Sequence, residues 1–145
     1  PFPGQHEGKT YYWSLHANDN SLVMRIRYGK VKVLLTGDLE RRGEEILMQR
    51  WPDVRADILK VPHHGSRTSS TDAFLSRVSP KAAVFCVGRN NRFGFPHRQV
   101  WQRYRRKGIA AWRTDWHGQI SLTTDGETIE LYSYLRGERS RYIKK

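Results

Sequence analysis

The sequence predicts one mixed α/β domain, and three observations carry that expectation. Apolar runs at residues 31–35, 57–61 and 81–87 read as buried strands. Segments of helical periodicity separate them. From residue 109 onward the pattern turns strand-rich. The order is a hairpin, then strand–helix alternation, then a strand-rich end, with no internal linker, repeat or low-complexity tract.

Each element has a local reason. Residues 1–9 read as loop and 11–15 as a short aromatic strand. Residues 21–28 alternate, with Leu22, Met24, Ile26 and Tyr28 on one side and Arg25 and Arg27 on the other, which predicts a half-buried strand. Tyr28-Gly29-Lys30 turns it into the next strand as a hairpin. Residues 39–49 are helical, with Leu39, Ile46 and Leu47 inward, Glu40, Arg41, Glu44 and Glu45 toward water, and Trp51-Pro52 as the stop. A polar loop at 66–71 leads into a short helix at 72–78 ended by Ser79-Pro80. A Gly/Asn/Arg loop at 88–96 precedes a helix at 97–107 closed by Gly108. Residues 109–113, 119–123 and 128–134 are late strands, the last two joined by Thr124-Asp125-Gly126. The basic tail, 136–145, is expected to be mobile.

A chain of 145 residues can bury a real core. The hydrophobic fraction is 37% and the formal charge +12. Mean hydropathy is −0.76 and the pI about 10.3. The excess of Lys and Arg favours a polyanionic partner, nucleic acid first and an anionic membrane surface second; a plainly soluble basic surface is the alternative. The single cysteine, Cys86, sits in an apolar run as a small core residue, which excludes an intrachain disulfide and a multi-cysteine zinc site. No run approaches the ~20 apolar residues of a membrane span. The start at Pro1-Phe2-Pro3-Gly4 suggests a piece of something longer.

Chemistry gathers where two buried strands end. Thr36-Gly37-Asp38 follows one and Pro62-His63-His64-Gly65-Ser66 the other. Loops at strand ends collect catalytic groups in α/β proteins, and a carboxylate with an imidazole there suits zinc or manganese. Asp38 equally suits the N-cap of the helix beginning at Leu39. Adjacent histidines on extended backbone would point to opposite faces, so one of His63 and His64 is expected as a ligand and the other as its support. Gly65 permits close approach of a substrate. Ser66, Ser69 and Ser70 offer donors to a phosphate, and Arg67 adds charge. His97 opens a helix and suits proton donation. Arg98, Arg103, Arg105, Arg106 and Lys107 form a basic helix face, with Val100, Trp101 and Tyr104 as its apolar seam, and Arg89 and Arg92 form a basic loop. His6, His16 and His117 read as surface residues. No P-loop, Gly-x-Gly-x-x-Gly, His-Glu-x-x-His or Gly-x-Ser-x-Gly is present.

Together the motifs resemble one family. Asn18-Asp19-Asn20-Ser21-Leu22-Val23, Leu34-Leu35-Thr36-Gly37-Asp38-Leu39-Glu40, and Leu59-Lys60-Val61-Pro62-His63-His64-Gly65-Ser66 with Thr68-Ser69-Ser70 carry the resemblance. Gly94-Phe95-Pro96-His97, Gly108-Ile109 and Arg113-Thr114-Asp115 with Gly118 extend it. They look like the C-terminal metallo-β-lactamase-like domain of ComEC-type competence proteins, inner-membrane channels for transforming DNA.

The resemblance implies an αββα sandwich with two divalent metals, manganese or zinc. Asp38 would correspond to the bridging carboxylate, His63 or His64 to the last histidine ligand, and His97 to a group at the rim. It implies nuclease activity that degrades one strand of incoming DNA, single-stranded DNA as partner, and attachment to a polytopic channel protein of the inner membrane, on its periplasmic or outer face. The family's upstream His-x-His-x-Asp-His stretch does not occur in residues 1–17. The chain is therefore expected to be the C-terminal part of such a domain, with an incomplete metal site, weak or absent activity alone, and an apolar face that invites a homodimer. Phe95 stands where the family often has a histidine. Two other readings compete. One is a related phosphodiesterase or phosphorylcholine-esterase-like hydrolase; the other is a non-catalytic basic DNA-binding module.

Overall fold

Four runs short in charge line up side by side at the centre of the fold: β2 (Val31–Leu35), β3 (Ile58–Lys60), β4 (Ala82–Phe85) and β5 (Ala110–Arg113), each parallel to the next. β1 (Met24–Tyr28) adds antiparallel to β2, completing a five-stranded sheet in the order β1-β2-β3-β4-β5. The computed structural model describes residues 16–143. The strand proposed at residues 11–15, the loop at 1–9 and His6 lie outside them.

Parallel strands need crossovers, and helices supply them. α1 (Arg41–Arg50) joins β2 to β3, α2 (Asp72–Val78) joins β3 to β4, and α3 (Arg98–Arg106) joins β4 to β5. Leu47, Phe74, Leu75, Val78, Val100 and Tyr104 from these helices pack on Leu34, Leu59, Ala83 and Phe85 of the sheet. Complete burial of a side chain such as Phe74 stabilises the fold by about 2–3 kcal/mol. The opposite face, Val31, Ile58, Ala82 and Trp112, is covered by Ile129 and Leu131. These belong to a second, antiparallel sheet of β6 (Ile120–Thr124), β7 (Thr128–Ser133) and β8 (Arg139–Ile143). The layers are thus helices, sheet, sheet: three of the four layers of an αββα sandwich among the described residues.

Several expectations need correction. β1 is not half-buried: all five of its residues are exposed. Register sets Ile26 opposite Val33 and Tyr28 opposite Val31, so the apolar side of β1 faces the same way as the inter-sheet core. The second sheet does not reach over it. The helix at 39–49 starts two residues later, and Glu44, expected to face water, is fully buried. The basic tail contains β8, because Ser140 and Tyr142 alternate with Arg139 and Arg141, and Tyr142 packs on the inter-sheet core. A one-turn helix, α4 (Thr114–His117), interrupts the late strands. Its His117 is buried, not a surface residue: the ring lies tilted against Trp112, centroids 5.0 Å apart, with Nδ1 beside the Arg113 backbone. His16 is exposed, as expected. Among the described residues no helix is long and apolar enough to cross a membrane.

Candidate functional site

Asp38 and the His63-His64 pair follow the C-terminal ends of β2 and β3, which are parallel neighbours. Cys86 follows β4, the next in line. Three successive strand ends therefore converge on one place, where open α/β sheets gather their chemistry.

The Asp38 loop turns at Gly37, whose φ is +55° and where a Cβ would come within 2.9 Å of Ser21. Only glycine allows that approach without strain. The Asp38 backbone N–H donates to Ser21 Oγ at 3.0 Å, and Thr36 Oγ1 donates to the Lys60 carbonyl at 2.9 Å. Asp38 does not cap α1. The N-cap is Glu40, which makes no side-chain cap of its own, and Asp19 does the work from across the fold. Asp19 Oδ1 accepts from the N–H groups of Glu40 (3.1 Å) and Gly43 (2.8 Å). With the helix satisfied from elsewhere, the Asp38 carboxylate stays half-exposed and free to meet other groups.

The histidines do not sit on extended backbone. Pro62–Gly65 is a tight turn kinked at its centre, where His63 (φ 44°) and His64 (φ 55°) are both left-handed. Two such non-glycine residues in a row cost about 1–3 kcal/mol each. The turn is held on all sides: His63 N–H donates to Gly37 O, Ser69 Oγ donates to Pro62 O, and His97 N–H donates to Gly65 O. Strain maintained at this expense is characteristic of functional loops. Gly65 packs against the chain itself: a Cβ there would lie 2.7 Å from Pro96 and 3.0 Å from Phe85, so its role in substrate approach is replaced by one in loop packing.

The two rings take different partners. His64 Nδ1 lies 2.6 Å from the Cys86 carbonyl. A carbonyl only accepts, so Nδ1 carries a hydrogen, and in the neutral ring Nε2 keeps its lone pair. That Nε2 stands 3.4 Å from Asp38 Oδ1. His63 instead turns its Nδ1 to Glu40 Oε1 at 3.0 Å. The same oxygen accepts from Thr68 Oγ1 and Asn18 Nδ2. Burial pushes the Glu40 carboxyl up, but these hydrogen bonds and His63 outweigh it and leave the pKa lowered. Lys60 completes the cluster, its Nζ donating to Gly37 O at 2.6 Å and lying 3.6 Å from Asp38 Oδ1. Phe95 lies against both rings, edge-on to His63 and near-parallel to His64.

The remaining candidates separate into scaffold and surface. Ser69 and Ser70 are buried and spent internally, Ser69 Oγ on Pro62 O and Ser66 O, and Ser70 Oγ on Tyr104 OH. Ser66, also buried, shares a hydrogen bond with Thr68. The expected phosphate donors are therefore loop scaffold. Beneath them Glu44 accepts from Ser70 N–H (2.5 Å), Thr71 N–H (2.9 Å) and Thr71 Oγ1 (2.7 Å), locking the loop to α1. Arg103 is likewise turned inward, donating to the Ser69 and Ser70 carbonyls, and Lys107 donates to Ser76. Arg67 lines an open groove of about 550 Å³ beside Glu40, together with Arg41, Thr68 and Gln99. Arg89, Arg92 and Arg98 are exposed. His97 caps α3, its Nδ1 accepting from Gln99 N–H at 3.4 Å, which leaves Nε2 as the donor of the neutral ring. Cys86 is half-buried, and its backbone carbonyl is what the site uses.

Asp38 and His64 suit a divalent cation: one carboxylate, and one imidazole whose far nitrogen is anchored by a carbonyl, the arrangement that orients metal-bound histidines. Among the described residues no group of three or more His, Cys, Asp or Glu side chains is placed to share a metal. Sequence reasoning missed Glu40, Lys60 and Asp19 as members of the cluster. Asp19 lies within the Asn18-Asp19-Asn20-Ser21 motif, the one signal that could have drawn attention to it.

Comparison with known proteins agrees with this geometry. The model of the metallo-beta-lactamase superfamily matches residues 4–89. ComE operon protein 3 of Bacillus subtilis is 43% identical over 103 residues, covering 71% of this chain and 13% of its own length. Recombination protein 2 of Haemophilus influenzae is 37% identical over 114 residues, covering 79% and 14%. Competence protein ComA of Neisseria gonorrhoeae is 39% identical over 106 residues, covering 72% and 15%. The chain spans roughly one-seventh of the length of these relatives. The superfamily match takes in more than half of the chain, and the chain belongs to the metallo-β-lactamase superfamily.

Proposed function

We propose that this chain is part of a metal-dependent phosphodiester hydrolase domain that acts on single-stranded DNA within a competence DNA-uptake protein. The approach of His64 Nε2 to Asp38 carries the reading. Asp38 takes the role of bridging carboxylate. His64, not His63, takes that of histidine ligand, since Cys86 holds its ring with the free nitrogen toward Asp38. His63 and Glu40 support the turn from behind. His97 offers an Nε2 proton donor next to Gly65. Divalent metals at such a site, manganese or zinc, supply an activated water and neutralise charge on the scissile phosphate. The relatives' competence names and the net charge of +12 support DNA as the substrate. The competence names of those relatives support attachment to an inner-membrane channel, and we place the domain on its periplasmic or outer face.

Residues 1–17 hold no His-x-His-x-Asp-His stretch, so the 145-residue chain on its own is expected to hydrolyse DNA weakly or not at all. The test pairs calorimetric titration of Mn²⁺ and Zn²⁺ with cleavage of a labelled single-stranded oligonucleotide. Metal binding that Asp38→Ala and His64→Ala abolish supports the reading. DNA binding with a steep salt slope that ignores both metal and Asp38→Ala would point to the non-catalytic basic module instead. Robust manganese-dependent cleavage by the chain alone would overturn the expectation of weak activity.

A further inference from the structure

The loop between β4 and α3 carries an aromatic series that nothing in the hydrolytic site requires. From His64 the series runs outward through Phe95 (centroids 6.3 Å apart, planes 12° apart) to Phe93 (5.5 Å, 20°). The Arg92 guanidinium lies over the Phe93 ring at 4.9 Å. Phe93 is 62% exposed. The loop is not loose. Asn91 clamps it, its Oδ1 accepting from Phe95 N–H and its Nδ2 donating to Phe95 O, both at 2.8 Å. The ring is therefore presented by a braced loop in which Arg89 and Arg92 are exposed, as is Arg98 at the start of α3.

Resting on the reading that the chain acts on single-stranded DNA, we propose that Phe93 is a stacking platform for an unpaired nucleobase beside the candidate cleavage site. The nearly parallel rings of His64, Phe95 and Phe93 set a stacking direction that leads away from the Asp38–His64 pair. A strand whose phosphate lies at that pair would place a neighbouring base along the series, with the arginines on its backbone. Every base has a π-face, so such a platform is tolerant of sequence. It requires bases out of the duplex, which gives the site a preference for single strands that charge alone would not provide.

The inference is tested by binding without turnover. Fluorescence anisotropy of the full 145-residue chain in EDTA compares a mixed-sequence single-stranded 12-mer with an abasic 12-mer carrying the same number of phosphates. The wild type should bind the base-bearing strand about tenfold more tightly, and Phe93→Ala should remove that preference while Phe93→Trp keeps it. Equal affinity of the wild type for both strands overturns the platform and leaves the nucleic-acid reading standing, and does so whether or not the alanine variant folds. A preference that survives Phe93→Ala also overturns it. No binding of either strand overturns both.

Discussion

His64 is held between two oxygens of different kinds: its Nδ1 lies 2.6 Å from the Cys86 carbonyl and its Nε2 3.4 Å from Asp38 Oδ1. The first contact fixes which nitrogen carries the hydrogen, and so fixes what the second nitrogen can do. His63 lacks that relationship to Asp38 and is bound to Glu40. His64→Ala should therefore lower affinity for Mn²⁺ or Zn²⁺ by about a hundredfold or more, and His63→Ala by about tenfold. Calorimetric titration of the two variants checks the order; a larger loss from His63→Ala would reverse the assignment.

Asp19 and Asp38 should behave oppositely toward stability. Asp19 satisfies two backbone N–H groups at the start of α1, one of them buried. Asp19→Ala should cost about 1–2 kcal/mol in urea unfolding, and Asp19→Asn less, since its amide oxygen can still accept. Asp38→Asn should stay within about 0.5 kcal/mol of the wild type, because Asp38 caps nothing. A large loss from Asp38→Asn would mean that the carboxylate is structural after all.

Glu44 should give the fold a pH dependence. Burial raises its pKa, with the hydrogen bonds from Thr71 and Ser70 and the Arg103 charge opposing. A carboxyl whose folded pKa is raised binds more protons in the native state. Its contribution is fully present below the ordinary value of 4.5 and is lost as pH climbs through the raised one. Glu44→Gln should flatten the stability profile across that interval. Glu44→Ala should cost about 2–4 kcal/mol at neutral pH by orphaning the Ser70 and Thr71 N–H groups. Thermal unfolding from pH 4 to 8 distinguishes the variants; parallel profiles for the wild type and Glu44→Gln would count against the assignment.

β1 should drive self-association of this chain. Met24, Ile26 and Tyr28 are exposed, as is Leu22 just before the strand, and among the described residues β1 forms an edge of the five-stranded sheet. Sedimentation velocity should show mass rising with concentration, and Ile26→Lys should shift the population toward monomer. A wild-type chain that stays monomeric throughout would contradict this.

Much of this was legible in sequence because its causes are local. The parallel strands announce themselves as short apolar runs, α2 by the polar loop before it and Ser79-Pro80 after, and α3 by an apolar seam closed at Gly108. The strand-end positions of Asp38 and the two histidines follow from the same runs. β8 was concealed by its charges, since the outward Arg139 and Arg141 outweigh Ser140 and Tyr142 in composition although only the latter two face inward.

What the sequence by itself determined is therefore the class of fold and the short list of residues capable of chemistry. Periodicity and residue type act over a few positions and are readable there. Tertiary structure decided which histidine meets Asp38, that Asp19 and not Asp38 caps α1, that Glu44 is buried, and that Ser70 serves the scaffold. Each of these depends on a hydrogen bond between residues more than ten positions apart. A donor or acceptor takes whichever partner packing brings within about 3 Å, and that choice is made only when the strands and helices come together.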